Sequence, residues 1–570
     1  MGTRLKIIAL GFFLLFGLLT VRLFFWQIIR GRELGNAAKG QYETGRQLSA
    51  PRGNILASDG DPLVARAEGY LVFAEIPHLK DDPKAIAEKL APFFTSDPND
   101  RQAFLIEIDR IANLLSKKET VWVPLKQKVT AETKKNIEAL GLAGIGFEKQ
   151  ELRVYPEASA AAHLLGFVGK DEEGNDMGYF GLEGYYDLAL TGRAGYRERE
   201  ADAKGTPIML GNNKEITALS GVNLITTIDK TVQLTLEKKL KEGIEKYGAK
   251  SGTVIVIEPS SGAILGMASF PSYEPDLYWN YGNEYFKNPA VSDSFEPGSI
   301  FKVFVMASAL DAGVVKPDTK CDICAGPYKV DKYLIETWNQ KYNPDETMTE
   351  VIVHSDNVGM SFVANQLGAD RLYDYLDKFG IGKLTGIDLQ GEGSPQLREK
   401  GSWNVVDLAT AAFGQGVAVT PIQLIKALAI IANGGYSVTP HVVQKLQGDL
   451  WSEEIKIKPG QRIISETADS DIKAMMVEAA KNGESKWTNL RGFPVAGKTG
   501  TAQIPIAGHY DENKTNASFI GFSPADHPKF AMLVILREPQ SSVWASETAA
   551  PLWYSIAKDL FVYFGIQPEN

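Results

Sequence analysis

Glu296-Pro297-Gly298-Ser299-Ile300-Phe301-Lys302 is the stretch on which the reading of this chain turns. Pro297-Gly298 signals a turn. A helical pattern runs from Ile300 to Ala312, so Ser299 falls at a helix start. Serine and lysine three residues apart share one helical face. The helix N-terminus directs backbone N–H groups and positive potential at the serine oxygen. A hydroxyl is a weak nucleophile until a neighbouring base removes its proton, and lysine is such a base only where burial or nearby cations lower its pKa. Taken alone, S-x-x-K describes a capped helix with a surface lysine equally well.

Two further segments decide between these readings. His354-Ser355-Asp356-Asn357 lies between two helical patterns, and Lys498-Thr499-Gly500-Thr501 lies in the strand-like run FPVAGKTGTAQ. Singly, Ser355 reads as a helix cap and Lys498 as an edge-strand lysine. The three in this order, each in its expected context, are specific for serine acyl-transfer enzymes. The second segment carries an additional carboxylate, Asp356, which is expected to face solvent. His354 adjoins Ser355, but adjacent residues rarely face the same way and Lys302 already fills the base role, so His354 reads as structural. His163, in an apolar setting, reads as a hydrogen-bonded core residue.

Outward from this centre, the chain has 570 residues, is 44% hydrophobic and 23% charged, and carries a net charge of -10. These proportions exclude disordered, collagen-like and polytopic membrane classes. The acidic balance argues against general nucleic-acid binding, which draws on a surplus of Lys and Arg. Six His and two Cys are too few for a multi-metal enzyme or a disulfide-scaffolded module. Residues 7–29 form a strongly apolar run with one charge, Arg22; as a helix they span about 34 Å, enough to cross a membrane. The flanking Arg30-Gly-Arg32-Glu33 does not fit a cleavage site, so the run reads as an uncleaved anchor after a short tail, 1–6. Arg22, about 10 Å from the helix end, either snorkels to the headgroups or meets another membrane helix.

The rest divides by composition. Residues 30–66 are rich in Gly, Arg and turn formers, 80–145 hold amphipathic patterns such as Asp81–Phe94 and Thr130–Leu140, and 150–215 are turn-rich again. Strand patterns occur at 223–229, 252–258, 263–269, 517–523 and 530–536, with helical patterns between them, including 231–247, 360–367, 369–379 and one after Thr420-Pro421. Strands at both ends with helices between predict an α+β domain over 221–570, its sheet closed by the two ends. The region 30–220 forms a separate pedestal, with 67–149 as an inserted subdomain.

With these motifs in place, the chain resembles the class B penicillin-binding proteins, monofunctional peptidoglycan D,D-transpeptidases. The likeness extends to Pro51-Arg-Gly-Asn-Ile-Leu-Ala-Ser-Asp59-Gly60, Arg153-Val-Tyr-Pro156, Ala162-His163-Leu-Leu-Gly166, Gly178-Tyr-Phe-Gly181-Leu-Glu183, Pro271–Asp276, Phe413–Leu424 and Ala545–Pro551. Residues 67–149 carry no such motif. The resemblance implies a single transmembrane helix, an elongated α/β pedestal of the dimerisation type, and a transpeptidase domain built as an antiparallel sheet flanked by helices, as in serine β-lactamases.

The resemblance also assigns roles. Ser299 is the nucleophile and Lys302 the general base. Ser355 relays a proton to the leaving amine, Asn357 orients Lys302 and the donor, and Lys498 sustains the electrostatics. Thr499, Gly500 and Thr501 bind the donor, whose oxyanion meets the N–H groups of Ser299 and Thr501. No metal or organic cofactor is implied. The implied partners are peptidoglycan stem peptides, β-lactams as inhibitors and a polytopic glycan polymerase in the bacterial cytoplasmic membrane, with the catalytic domain outside. The segment from Val291 to Ser299 resembles the division type more than the elongation type. The competing readings are a membrane-anchored β-lactamase, a bifunctional enzyme with a glycosyltransferase domain, and a non-catalytic β-lactam sensor or scaffold. For Cys321-Asp-Ile-Cys324 no second pair completes a zinc site; a local disulfide is expected, two reduced thiols being the alternative.

Overall fold

The computed structural model describes residues 2–34, 43–48, 50–95, 100–117, 120–200, 213–506 and 509–569. They group into two compact units, 1–52 with 191–221, and 53–190 with 222–570.

In the first unit, α1 (Thr3–Phe24) continues through one π-helical turn, Phe25–Ile29. Over Thr3–Ile29 the mean hydropathy reaches 2.4 and no residue is buried, so this helix is long and apolar enough to cross a membrane. A three-stranded antiparallel sheet follows, with Gly195–Glu200 between Glu43–Leu48 and Asn213–Ile216.

The second unit opens on a mixed sheet. Its order is Ser452–Glu454, Val443–Gln447, Asn223–Thr226, Ile55–Leu56, Pro62–Glu75, Trp122–Thr130, and Ile145–Val154 also pairs with Pro62–Glu75. The two-residue strand Ile55–Leu56 runs parallel to Asn223–Thr226. Residues 53–190 group with 222–570 in this unit. Within 67–149, helices Pro83–Phe94 and Arg101–Leu115 lay Ile86, Leu90, Ile108 and Ile111 over Val72, Leu125 and Val129, giving this stretch its own core. Asp82 and Asp100 cap them, each accepting two backbone N–H groups. Three of the family-like segments converge nearby. Buried Arg153 pairs with buried Glu183 at 2.6 Å and donates through Nη1 to the Gly53 carbonyl at 2.6 Å. His163 is buried, donating from Nε2 to the Tyr285 carbonyl at 3.0 Å. Burial lowers its pKa to about 4, so it is a neutral core residue.

The remainder is built on five antiparallel strands. α2 (Lys230–Tyr247) precedes β1 (Ser251–Ile257) and β2 (Ile264–Phe270). Then come α3 (Lys302–Asp311), α4 (Met348–His354), α5 (Asn357–Leu367), α6 (Pro421–Ala432) and α7 (Glu466–Asn482). β3 (Ala496–Ile506), β4 (His509–Ser523), β5 (Phe530–Arg537) and α8 (Ala549–Tyr563) complete the chain. The sheet order is β2-β1-β5-β4-β3, so the ends of the domain do close one sheet.

Side chains of a strand alternate between faces. Val254, Val256, Met532 and Val534 pack with Val232, Leu236 and Leu240 of α2 and Trp553, Ile556 and Leu560 of α8. Ile255, Ile257, Leu533 and Ile535 enter the opposite layer, with α3, α5 and α6. Both faces are covered, which is why TVIVIE and FAMLVIL read as uniformly apolar. α3 lies inside that second layer and is buried from Lys302 to Leu310, so it has no polar stripe. Each large aliphatic side chain so buried contributes about 1.5–3 kcal/mol.

Candidate active site

Ser299 occupies a single 3-10 turn, Gly298–Phe301, and α3 begins only at Lys302. The expected helix from Ile300 is thus tighter in its first turn. Gly298 has φ 60°, in the left-handed region that glycine adopts without a Cβ clash, and its N–H donates to the Gly414 carbonyl at 3.1 Å. On the other side the turn rests on β3. A Cβ on Gly500 would lie 2.7 Å from Ile300 Cγ2 and 3.0 Å from the Ile300 nitrogen. Gly500 thus lets the strand and the Ser299 turn touch.

One helical turn on, Lys302 is fully buried. Its ammonium donates to the Ser355 carbonyl at 2.6 Å, Asn357 Oδ1 at 2.7 Å and Ser355 Oγ at 3.3 Å. Burial, and then repulsion from Lys498, lowers its pKa to about 7. Neutral Lys302 is therefore accessible near neutral pH, as a general base requires. Lys498, buried on β3, donates to Ser355 Oγ at 3.0 Å and to the Thr499 hydroxyl at 3.2 Å, and burial lowers its pKa too.

Ser355 bridges the two lysines because of its backbone. It ends α4 with φ 58° and ψ 41°, a left-handed conformation that is uncommon for a residue with a Cβ and concentrates at functional sites. Its hydroxyl oxygen lies within hydrogen-bond reach of both lysines. The next residue corrects the sequence reading. Asp356 does not face solvent; it is 2% exposed and caps α5, with Oδ1 accepting from Val358 N at 2.6 Å and Gly359 N at 3.0 Å. Asn357 opens α5 and also donates Nδ2 to the Glu336 carbonyl at 3.0 Å. His354 is exposed and pairs with buried Glu346.

The cleft is lined by Ser299, Ser355, Asn357 and Thr501, the last through a hydroxyl that accepts from Ala545 N at 3.0 Å. The Thr499 hydroxyl turns towards Glu484, donating to Oε2 at 2.8 Å. Glu484, Phe413, Gln415, Trp338 and Trp544 also line it, the tryptophan rings 5.2 Å apart. Sequence reasoning assigned none of these five a role. Phe413 and Gln415 fall in a family-like segment, which was the available signal; Glu484, Trp338 and Trp544 carry none. Cys321 and Cys324 are joined in a disulfide.

This arrangement supports acyl transfer through a serine ester. Two family models match the chain. Residues 252–560 match the penicillin-binding protein transpeptidase domain, and residues 47–226 match the penicillin-binding protein dimerisation domain. The second match occupies the length in which a glycosyltransferase domain would have to lie. Stage V sporulation protein D of Bacillus subtilis is 30% identical over all of this chain and 86% of its own length. Peptidoglycan D,D-transpeptidase FtsI of Escherichia coli is 29% identical over 92% of this chain and 85% of its own. Among solved structures, a peptidoglycan synthetase from Bifidobacterium adolescentis superposes with a TM-score of 0.72 at 27% identity, covering 93% of this chain and 98% of that one. Fold and site thus define a serine acyltransferase. The chain belongs to the penicillin-binding protein transpeptidase family.

Proposed function

We propose that this chain is a class B, division-type peptidoglycan D,D-transpeptidase. The observation that carries the reading is the buried Lys302–Ser355–Lys498 chain beside Ser299. Neutral Lys302 takes the Ser299 proton as Oγ attacks the penultimate D-Ala carbonyl of a donor stem peptide. The N–H groups of Ser299 and Thr501 stabilise the oxyanion. As the C–N bond breaks, Ser355 passes a proton to the departing D-Ala amine, and Lys302 and Lys498 restore it. Lys498, Thr499 and Thr501 hold the donor carboxylate through charge-assisted hydrogen bonds, displacing Glu484 from Thr499. An acceptor amine then attacks the Ser299 ester, forming the crosslink and freeing the serine. A β-lactam enters the same path and stops at the ester.

The α1 helix supports single-pass anchoring with the catalytic domain outside the membrane. Arg22, a charge within that helix, fits a contact with a polytopic glycan polymerase; replacing α1 by an unrelated spanning helix should then impair growth. Purified enzyme given a synthetic pentapeptide ending in D-Ala-D-Ala and an amine acceptor should release D-Ala and form the amide, and Ser299→Ala should do neither. Rapid turnover of penicillin would favour the β-lactamase reading instead.

A further inference from the structure

Two sequence features that the reaction leaves unused, the Cys321–Cys324 pair and the carboxylate of Asp356, come together in the fold around Glu346. Cys324 Sγ, a Glu346 carboxylate oxygen and an Asp356 carboxylate oxygen lie within 4.8 Å of one another. The sulfur is tied up in the disulfide. Glu346 is 2% exposed, and its Oε2 is fully buried without a donor facing it. Its Oε1 accepts from His354 Nδ1 and, at 3.4 Å, from Asn343 Nδ2. Asp356 Oδ1 already receives two backbone N–H groups of α5. Two buried carboxyl groups this close cannot both ionise without strong repulsion. A proton on Glu346 Oε2, the buried oxygen that lacks a donor, would relieve that repulsion.

The pair sits directly behind the catalytic turn. Asp356 lies between Ser355, whose left-handed backbone sets the lysine bridge, and Asn357, which orients Lys302. The Glu346 carbonyl also accepts from Cys321 N at 2.8 Å, anchoring the acid to the disulfide loop.

We propose that Glu346 is a positioning residue for acylation: protonated, it donates to Asp356 and holds the Ser355–Asn357 turn in the geometry that places Ser355 between Lys302 and Lys498. The inference rests on the transpeptidase reading only for the identity of the acylation step. The charged and titratable groups facing Glu346 are His354 from α4, Asp356 from the turn and, beyond it, Lys302 of α3, itself flanked by Lys498 and Glu484. Burial first, then Asp356, raise the Glu346 pKa from 4.5 to about 7, against the opposing pull of His354. Above that range the ionised pair repels and loosens the turn, and the added negative charge also favours protonated Lys302. Both effects oppose the gain from deprotonating Lys302.

The test is acylation of the full-length protein by a fluorescent penicillin, followed across the pH range in wild type, Glu346→Gln and Glu346→Ala. The glutamine amide can donate to Asp356 at every pH. Its acylation rate should equal wild type at about pH 5.5 and exceed it roughly three- to tenfold at about pH 9. Glu346→Ala should be slower than wild type by at least about tenfold throughout. A glutamine profile that superimposes on wild type, or an alanine variant that acylates at the wild-type rate, overturns the proposal. Should Glu346→Ala fail to fold, the glutamine comparison decides alone. Loss of acylation by wild type at every pH would sink the transpeptidase reading instead, a distinguishable failure.

Discussion

Lys302 Nζ lies 2.7 Å from Asn357 Oδ1, so the lysine at the start of α3 is held by the first residue of α5. Because burial, chiefly, and Lys498 bring Lys302 to about 7, its reactive neutral form grows as pH rises through that value. Acylation of Ser299 by penicillin should increase with pH through a midpoint near 7, measured as the second-order rate constant. Lys302→Ala, which removes the proposed base, should lower that constant by about 10²–10⁴-fold above pH 7, with a smaller loss at acid pH where Lys302 is already protonated.

The contact between Gly500 and Ile300 gives a second expectation. Gly500→Ala forces a methyl group to 2.7 Å from Ile300 Cγ2 and 2.8 Å from Ser518 Oγ. Overpacking of this kind costs about 1–3 kcal/mol and here displaces the Ser299 turn. Thermal unfolding should shift down, and acylation should slow by more than the lost folded fraction explains.

Arg153 and Glu183 form a buried pair with side-chain exposures of 8% and 0%. Removing one partner leaves an uncompensated buried charge, worth about 3–5 kcal/mol. Glu183→Ala should lower the denaturation midpoint accordingly, while protein that remains folded still acylates, since the cleft is lined by other residues; denaturant titration alongside penicillin labelling separates the two effects.

The chemistry and the main sheet were legible in the chain because each leaves a local trace. Ser299 and Lys302 must share a helical face, and strands covered on both sides, such as β1 and β5, must be apolar at every position. Glu346, Glu484, Trp338 and Trp544 leave none. They lie outside the three motifs, and their distance from Ser299 is set by packing between remote segments. The two-residue strand Ile55–Leu56 is too short to show a period, so its union with Asn223–Thr226 could not be read. Asp356 followed from a misjudged context. A polar residue between two helices reads as exposed, but this one caps α5 and is enclosed by Glu346 and Cys324.

The disulfide carries its own check. The unreduced protein should expose no titratable thiol in denaturant, and reduction should release both Cys321 and Cys324. Free thiols before reduction would contradict the pairing.

The central claim is that Ser299, activated by Lys302, forms the acyl-enzyme. Its most direct test is labelling with a fluorescent penicillin, followed by proteolysis and identification of the modified peptide. The account predicts a label on the peptide containing Ser299 and none in Ser299→Ala. Unlabelled wild type, or a Ser299→Ala variant that still takes the label, would contradict it.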